Sequence, residues 1–141
     1  MSKNSGALPR PEAQAGSIEF TLTRPASPLH VDRHWAESET EFGRNVVVGT
    51  FIYSLLLGMS VPDISGRAIA SLGVSELRHT LPFYHNDTLY GVTEILSLRA
   101  SQTRSRQGVL TVRTDGFNQE RQLVCTFKRA VLLPQRPPDE K

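Results

Sequence analysis

Four imidazoles, His30, His34, His79 and His85, are the groups of this chain best suited to moving protons. An imidazole with an ordinary pKa of about 6.5 accepts and returns a proton near neutrality, so one held in a defined loop can act as general base and acid. His30 stands in such a loop, Ser27-Pro28-Leu29-His30, ahead of a short helix expected over Asp32 to Glu39. It reads either as that base or as a capping residue for the helix. His34 lies at i, i+4 from His30, but no HExxH glutamate separates them and the other histidines add no metal spacing. No metal site is expected, and His34, His79 and His85 read as surface or sheet-edge residues. The single cysteine, Cys125, excludes an intrachain disulfide and reads as a small apolar residue in a reducing compartment.

These groups must be positioned by one domain, the size that 141 residues with 38% apolar side chains supports. Sixteen basic against fourteen acidic residues leave a formal charge of +2, too small an excess for a protein that tracks phosphates, so nucleic acid is not an expected partner. The longest apolar stretch, Val46 to Met59, is interrupted by Gly49, Thr50, Ser54 and Gly58 and falls short of the roughly 18 residues of a membrane span. The N-terminus lacks the hydrophobic core of a secretory signal, and a cytoplasmic, membrane-free protein is expected. Pro, Ala, Gly and Ser mark 1–16 as a flexible tail, three prolines and four charges mark 134–141 as another, and 17–133 is the folding unit.

Within that unit Val46, Val47, Phe51, Ile52, Leu55, Leu56 and Met59 place apolar side chains on more than one helical face, which predicts a central helix enclosed by other structure and closed by Pro62. The pattern then changes to strands over Ala68 to His79, Thr88 to Ala100, Gly108 to Gly116 and Val124 to Leu133, with turns over Ser101 to Gln107 and Phe117 to Glu120. One buried helix ahead of consecutive antiparallel strands is an α+β design in which a sheet wraps the helix. Asp87 and Asn118 are assigned to turns rather than to chemistry.

Several segments, in order, carry a resemblance. Ser27-Pro28-Leu29-His30-Val31-Asp32, then Ala36, Glu41-Phe42-Gly43-Arg44 and Val46-Val47-Val48-Gly49 are similar to the NPLHxD, A and FGRxIVHG signature of MaoC-like hydratases with the hot-dog fold. Ser60 to Ser65, Ala70 to Gly73, Asn86 to Leu89 and Val112 to Gln119 resemble segments of the mesaconyl-CoA and itaconyl-CoA hydratase-like branch. The resemblance implies a hot-dog fold, with an antiparallel sheet around one central helix, and a thioester site at a dimer interface. It implies a lyase in which His30 adds or removes water across an enoyl or 3-hydroxyacyl thioester. The start of the central helix, near Gly49, then offers backbone N–H groups to the thioester oxygen. Gly49 also reads simply as a small residue that lets the helix pack on the sheet.

On this reading His30, Ser27 and Gly49 are the catalytic positions, and Val48, Thr50, Tyr53 and Arg78 bind substrate. Arg78, with Arg99, Arg104 and Arg106, is placed to meet the phosphates of coenzyme A or the acidic face of a carrier protein; solvated loop charge is the plainer reading of Arg104 and Arg106. No cofactor is expected beyond the coenzyme A or phosphopantetheine of the substrate itself. The chain departs from the signature at three places: Pro25 stands where (R)-specific hydratases have an aspartate, Ser27 where the family has Asn, and Val48 where it has His. The implied dyad is therefore incomplete. Two other readings stand beside the hydratase: a repurposed cyclase or isomerase of a biosynthetic pathway, and a non-catalytic subunit that binds an acyl thioester or pairs with an active homologue. A homodimer or dimer-based oligomer is expected.

Overall fold

The computed structural model describes residues 27–136. Two short helices come first, α1 (Pro28–Val31) and α2 (Arg33–Glu39). Asp32 separates them and caps α2, its Oδ1 accepting from the Trp35 amide at 2.9 Å. The cap of α2 is thus this carboxylate and not His30, and it satisfies one of the amides that a helix start leaves open.

The long helix α3 runs over Gly49–Ser60 and continues as one π-helical turn, Val61–Ser65. It starts three residues later than the apolar pattern predicts, because Val46 is used in a β-bridge to Tyr84 and the Val47 amide donates to the Phe83 carbonyl at 2.8 Å. Pro62 does not close the helix: it lies in the first turn of the π segment, where its missing N–H and fixed φ are tolerated. Phe51, Ile52, Leu56 and Ser60 are buried, while Thr50, Ser54 and Gly58, spaced four apart, stay exposed. The enclosure expected on more than one face is therefore met except along that stripe.

Four antiparallel strands follow, β1 (Ala70–His79), β2 (Tyr90–Ala100), β3 (Gln107–Phe117) and β4 (Leu123–Pro134), in the order β1-β4-β3-β2. In β4 the buried Cys125, Phe127, Arg129 and Val131 alternate, so one face of the sheet receives α3. Tyr53 packs edge-on against Phe127, with ring centroids 4.9 Å apart. Cys125 is fully buried and free, as a small apolar core residue, and burial pushes its thiol up to about 11. The helix meets the sheet closely at Gly91 and Gly116, which face each other across β2 and β3. A Cβ on Gly116 would stand 2.5 Å from Leu56 Cδ1, and one on Gly91 3.4 Å from Leu56 Cδ2, so this glycine pair forms the seat for the fully buried Leu56.

Arg129 ties the end of α3 to the sheet. Its guanidinium donates to Ser60 Oγ at 2.9 Å and Ser65 Oγ at 3.0 Å, and burial lowers its pKa. Two turns are held by side chains, as their assignment to turns requires: Asn118 Oδ1 accepts from the Glu120 and Gln122 amides, and Asp87 accepts from the Tyr84 amide and from Gln119 Nε2. Of the tail expected over 134–141, Pro134 instead ends β4 and the Gln135 amide donates to the Arg106 carbonyl at 2.9 Å, while 137–141 lie outside the described residues. The tail expected over 1–16, and Pro25, lie outside the described residues.

Candidate active site

Three segments remote in sequence build one cavity. The Leu29 carbonyl accepts from Asn45 Nδ2 at 3.0 Å and from the Val46 amide at 3.3 Å, and in return His30 Nδ1 lies 2.7 Å from the Val46 carbonyl. A carbonyl can only accept, so Nδ1 carries the proton and donates it. In the neutral ring Nε2 then keeps its lone pair, which is the tautomer a general base needs. Asn45 is a positioning residue that sequence reasoning missed; its one signal is an amide next to the Phe42-Gly43-Arg44 segment.

The strand-like contact of Val46 with Tyr84 and the Val47–Phe83 hydrogen bond dock the loop after β1 against the approach to α3. Arg44 strengthens the junction, its guanidinium carbon 3.6 Å from the centroid of the Tyr84 ring. Between these segments lies a cavity of about 370 Å³, lined by His30, Phe42, Gly49, His79, Phe83 and Val124 among others. Its walls are largely apolar, and the polar groups it gathers are the imidazoles and the start of a helix. That is the make-up of a small-molecule site.

Val48 is the N-cap of α3 and supplies no side-chain cap. The Phe51 and Ile52 amides turn back to the Val48 carbonyl, and the Gly49 and Thr50 amides meet no acceptor among the described residues. Among the described residues the first turn therefore has donors to spare, and it sets the positive end of a twelve-residue helix dipole beside the cavity. The space over Gly49, expected to be open to a substrate oxygen, is filled. His79 Nε2, Cε1 and Cδ2 lie 2.8, 2.9 and 3.0 Å from the point where a Cβ on Gly49 would stand. His79 does end an edge strand, as the sheet-edge reading has it, but its ring is turned inward onto the helix start.

Burial pushes His79 below its ordinary pKa of 6.5, so the ring is neutral at pH 7. A depressed histidine pKa means that the unfolded chain binds the proton more readily. The associated stability is present above pH 6.5 and is lost as pH falls through the folded value. The fall in Tm on acidification from about pH 7 to about pH 5 is therefore expected to be smaller in His79→Gln than in the parent, as followed by circular dichroism. Equal slopes would contradict the neutral, partly desolvated imidazole.

The remaining assigned positions are dispersed. Ser27 is exposed as the N-cap of α1 and makes no side-chain cap; Thr50 is exposed on α3; Tyr53 packs on Phe127; Arg78 is exposed on β1 opposite Thr126. Of the seven, His30 and Gly49 line the cavity. His34 is exposed on α2 and His85 lies in the turn after Tyr84. Among the described residues no group of three or more His, Cys, Asp or Glu side chains is placed to hold a metal. None of the described helices is long and apolar enough to cross a membrane. A second depression, about 510 Å³ and lined by Tyr90, Phe117, Asn118, Gln119 and Arg121, gathers no general base.

The family model described as "MaoC like domain" matches residues 4–116, most of the chain. The chain belongs to the MaoC-like family. It is 33% identical over 114 residues to a mesaconyl-CoA hydratase of Cereibacter sphaeroides, a match that spans 77% of this chain and 33% of that protein. The chain spans about a third of the length of the curated relatives it matches. Among solved structures, an (R)-hydratase from A. caviae involved in PHA biosynthesis superposes with a TM-score of 0.76 at 27% identity, covering 95% of this chain and 97% of that one. A Mycobacterium tuberculosis protein with a double hotdog fold superposes with a TM-score of 0.79 at 22% identity, covering 100% of this chain and 44% of that one. The hot-dog fold implied by the sequence is thereby shown: one long helix against an antiparallel sheet, with the MaoC-like His30 loop at the helix start.

Proposed function

We propose that this MaoC-like domain hydrates the double bond of an enoyl thioester, or runs the reverse dehydration, with His30 as the proton carrier. The reading is carried by one observation: His30 is held by the Val46 carbonyl in the tautomer that leaves Nε2 its lone pair, at a cavity that Gly49, the first residue of α3, also lines. In the forward direction Nε2 takes a proton from water while the water oxygen bonds to the β-carbon. The π-electron pair moves toward the thioester and places negative charge on its oxygen. Amides at the start of α3 stabilise that charge, and the α-carbon then takes the proton back from His30. Water is consumed and no redox partner is needed.

Coenzyme A or a phosphopantetheine arm enters as part of the substrate. Mesaconyl-CoA is the first acyl-CoA to test, since the relative at 33% identity bears that name, and crotonyl-CoA tests the same chemistry without a second carboxylate. The expected result is loss of the enoyl-thioester absorbance together with a product heavier by one water. A substrate panel recovered unchanged would contradict hydration.

The same reading includes a homodimer joined through β1. Nine of the ten β1 residues are exposed, Leu72, Val74 and Leu77 among them, and in the order β1-β4-β3-β2 the outer edge of β1 pairs with no other strand among the described residues. Such an edge invites a second copy. Light scattering is expected to give twice the chain mass, falling to the chain mass in Leu72→Asp/Val74→Asp. A parent protein that stays monomeric across micromolar concentrations would contradict it.

A further inference from the structure

We propose that His79 is a second catalytic residue of this site: a neutral imidazole that donates a ring N–H to the thioester oxygen as that oxygen gains charge, alongside the amides of α3. The inference rests on the thioester reading of the cavity and adds to it a donor that neither the sequence pattern nor the MaoC-like resemblance singles out.

His79 comes so close to Gly49 that any side chain there would collide with three atoms of its ring. Gly49 thus admits an imidazole, where the sequence alone suggests direct access for a substrate oxygen. His79 and His30 line the same cavity, one at the end of β1 and the other in the loop before α2. The two rings are not equivalent. His30 is fixed through Nδ1 to the Val46 carbonyl, which leaves it a lone pair, whereas His79 lies over Gly49, the first residue of a helix.

That location determines what His79 can do. A positive charge beside the positive end of a helix dipole is disfavoured, and partial burial acts in the same direction. No carboxylate is paired with the ring among the described residues: Glu76, the acidic residue nearest to it on β1, bonds Lys128 at 2.7 Å. The ring is therefore a neutral donor. Being already uncharged, it gives a hydrogen bond to an enolate oxygen without first losing a proton to solvent. A donor that is in place before charge develops stabilises the transition state more than the ground state. The ring covers the Cα of Gly49, the first residue of α3, and both residues line one cavity, so a ring N–H and the first amides of the helix lie at the same end of it. The proton transferred in the reaction stays with His30.

Two substitutions separate donation from packing and from proton transfer. His79→Phe keeps a ring over Gly49 but has no N–H, and His79→Gln keeps an N–H but does not titrate near neutrality. With the enoyl-CoA that the parent turns over best, kcat is expected to fall about 100- to 1000-fold in His79→Phe, with KM changed by less than about threefold. His79→Gln should recover at least about tenfold of that loss. A conjugated dienoyl-CoA gives a readout independent of turnover, because its absorption moves to longer wavelength when the thioester oxygen accepts hydrogen bonds. The shift is expected with the parent and His79→Gln and absent with His79→Phe. If His79→Phe does not fold, His79→Leu takes its place.

Parent-like kcat and an undiminished shift in His79→Phe would overturn the inference, as would equal losses in the Gln and Phe variants. A His79-dependent shift in a parent that hydrates nothing would refute the hydratase reading while leaving the donor role standing. A parent that binds no dienoyl-CoA would remove both.

Discussion

Hydration of an enoyl-CoA is expected to fall by about two to four decades in kcat when His30 is replaced by alanine, the range a positioned acid or base contributes. The effect should appear in kcat more than in KM, because the residue acts on water and on the reacting carbons and not on the coenzyme arm. His30→Gln is the informative companion. Its amide nitrogen can still donate to the Val46 carbonyl, as His30 Nδ1 does at 2.7 Å, but no group in it accepts and returns a proton. The account expects Gln to be nearly as inactive as Ala and to melt within a few degrees of the parent, since a half-buried hydrogen bond contributes about 1 kcal/mol. Initial rates and thermal melts of both variants check this. A glutamine variant with more than a tenth of the parent rate would show that His30 only orients the loop.

The largest effect on stability is expected at Leu56. Its side chain is fully buried on the Gly91 and Gly116 seat, so Leu56→Ala should destabilise the domain by about 2–5 kcal/mol, a sizeable part of an ordinary domain's stability. Gly116→Ala destabilises from the other side, because its new Cβ enters the space of Leu56 Cδ1, and overpacking costs about 1–3 kcal/mol. In the double variant that methyl group fills part of the hole left by Leu56. The combined loss should therefore be smaller than the sum by about 0.5–3 kcal/mol. Urea melts of the three variants measure the coupling. Strict additivity would mean that the glycine pair does not set how the helix sits.

The helix and the sheet were legible because their signals are local. Val109, Leu110, Val112 and Thr114 mark β3 by composition and alternation, and the apolar residues of α3 crowd more than one helical face. The first residue of α3 was hidden because Val46, Val47 and Val48 are as apolar as the helix itself, and the contacts of Val46 and Val47 with the Phe83–Tyr84 loop decide their conformation. β1, expected over Ala68 to His79 and found over Ala70–His79, was legible from composition and not from alternation: its register shifts between Ser71 and Gly73 and again between Ser75 and Arg78, which breaks the period of two.

The candidate site divides along the same line. His30 and Gly49 stand in a contiguous segment whose motif carries them. His79 lies thirty residues beyond Gly49 and reaches it only through packing of the β1 end on the helix start. Arg129 was accessible in principle, since it falls on the inward phase of Cys125, Phe127 and Val131, where a cation must find hydrogen-bond acceptors. Ser60 and Ser65 supply them from the end of α3, a pairing that no sequence spacing announces.

The most direct test of the thioester site is a crystal structure of the protein with a saturated acyl-CoA that cannot be hydrated. The account predicts the acyl group in the cavity lined by His30, Gly49 and His79, with the β-carbon facing His30 Nε2 and the thioester oxygen about 3 Å from a donor at the start of α3. An acyl group bound in the depression between Tyr90 and Arg121, or one whose thioester points away from Gly49, would contradict it.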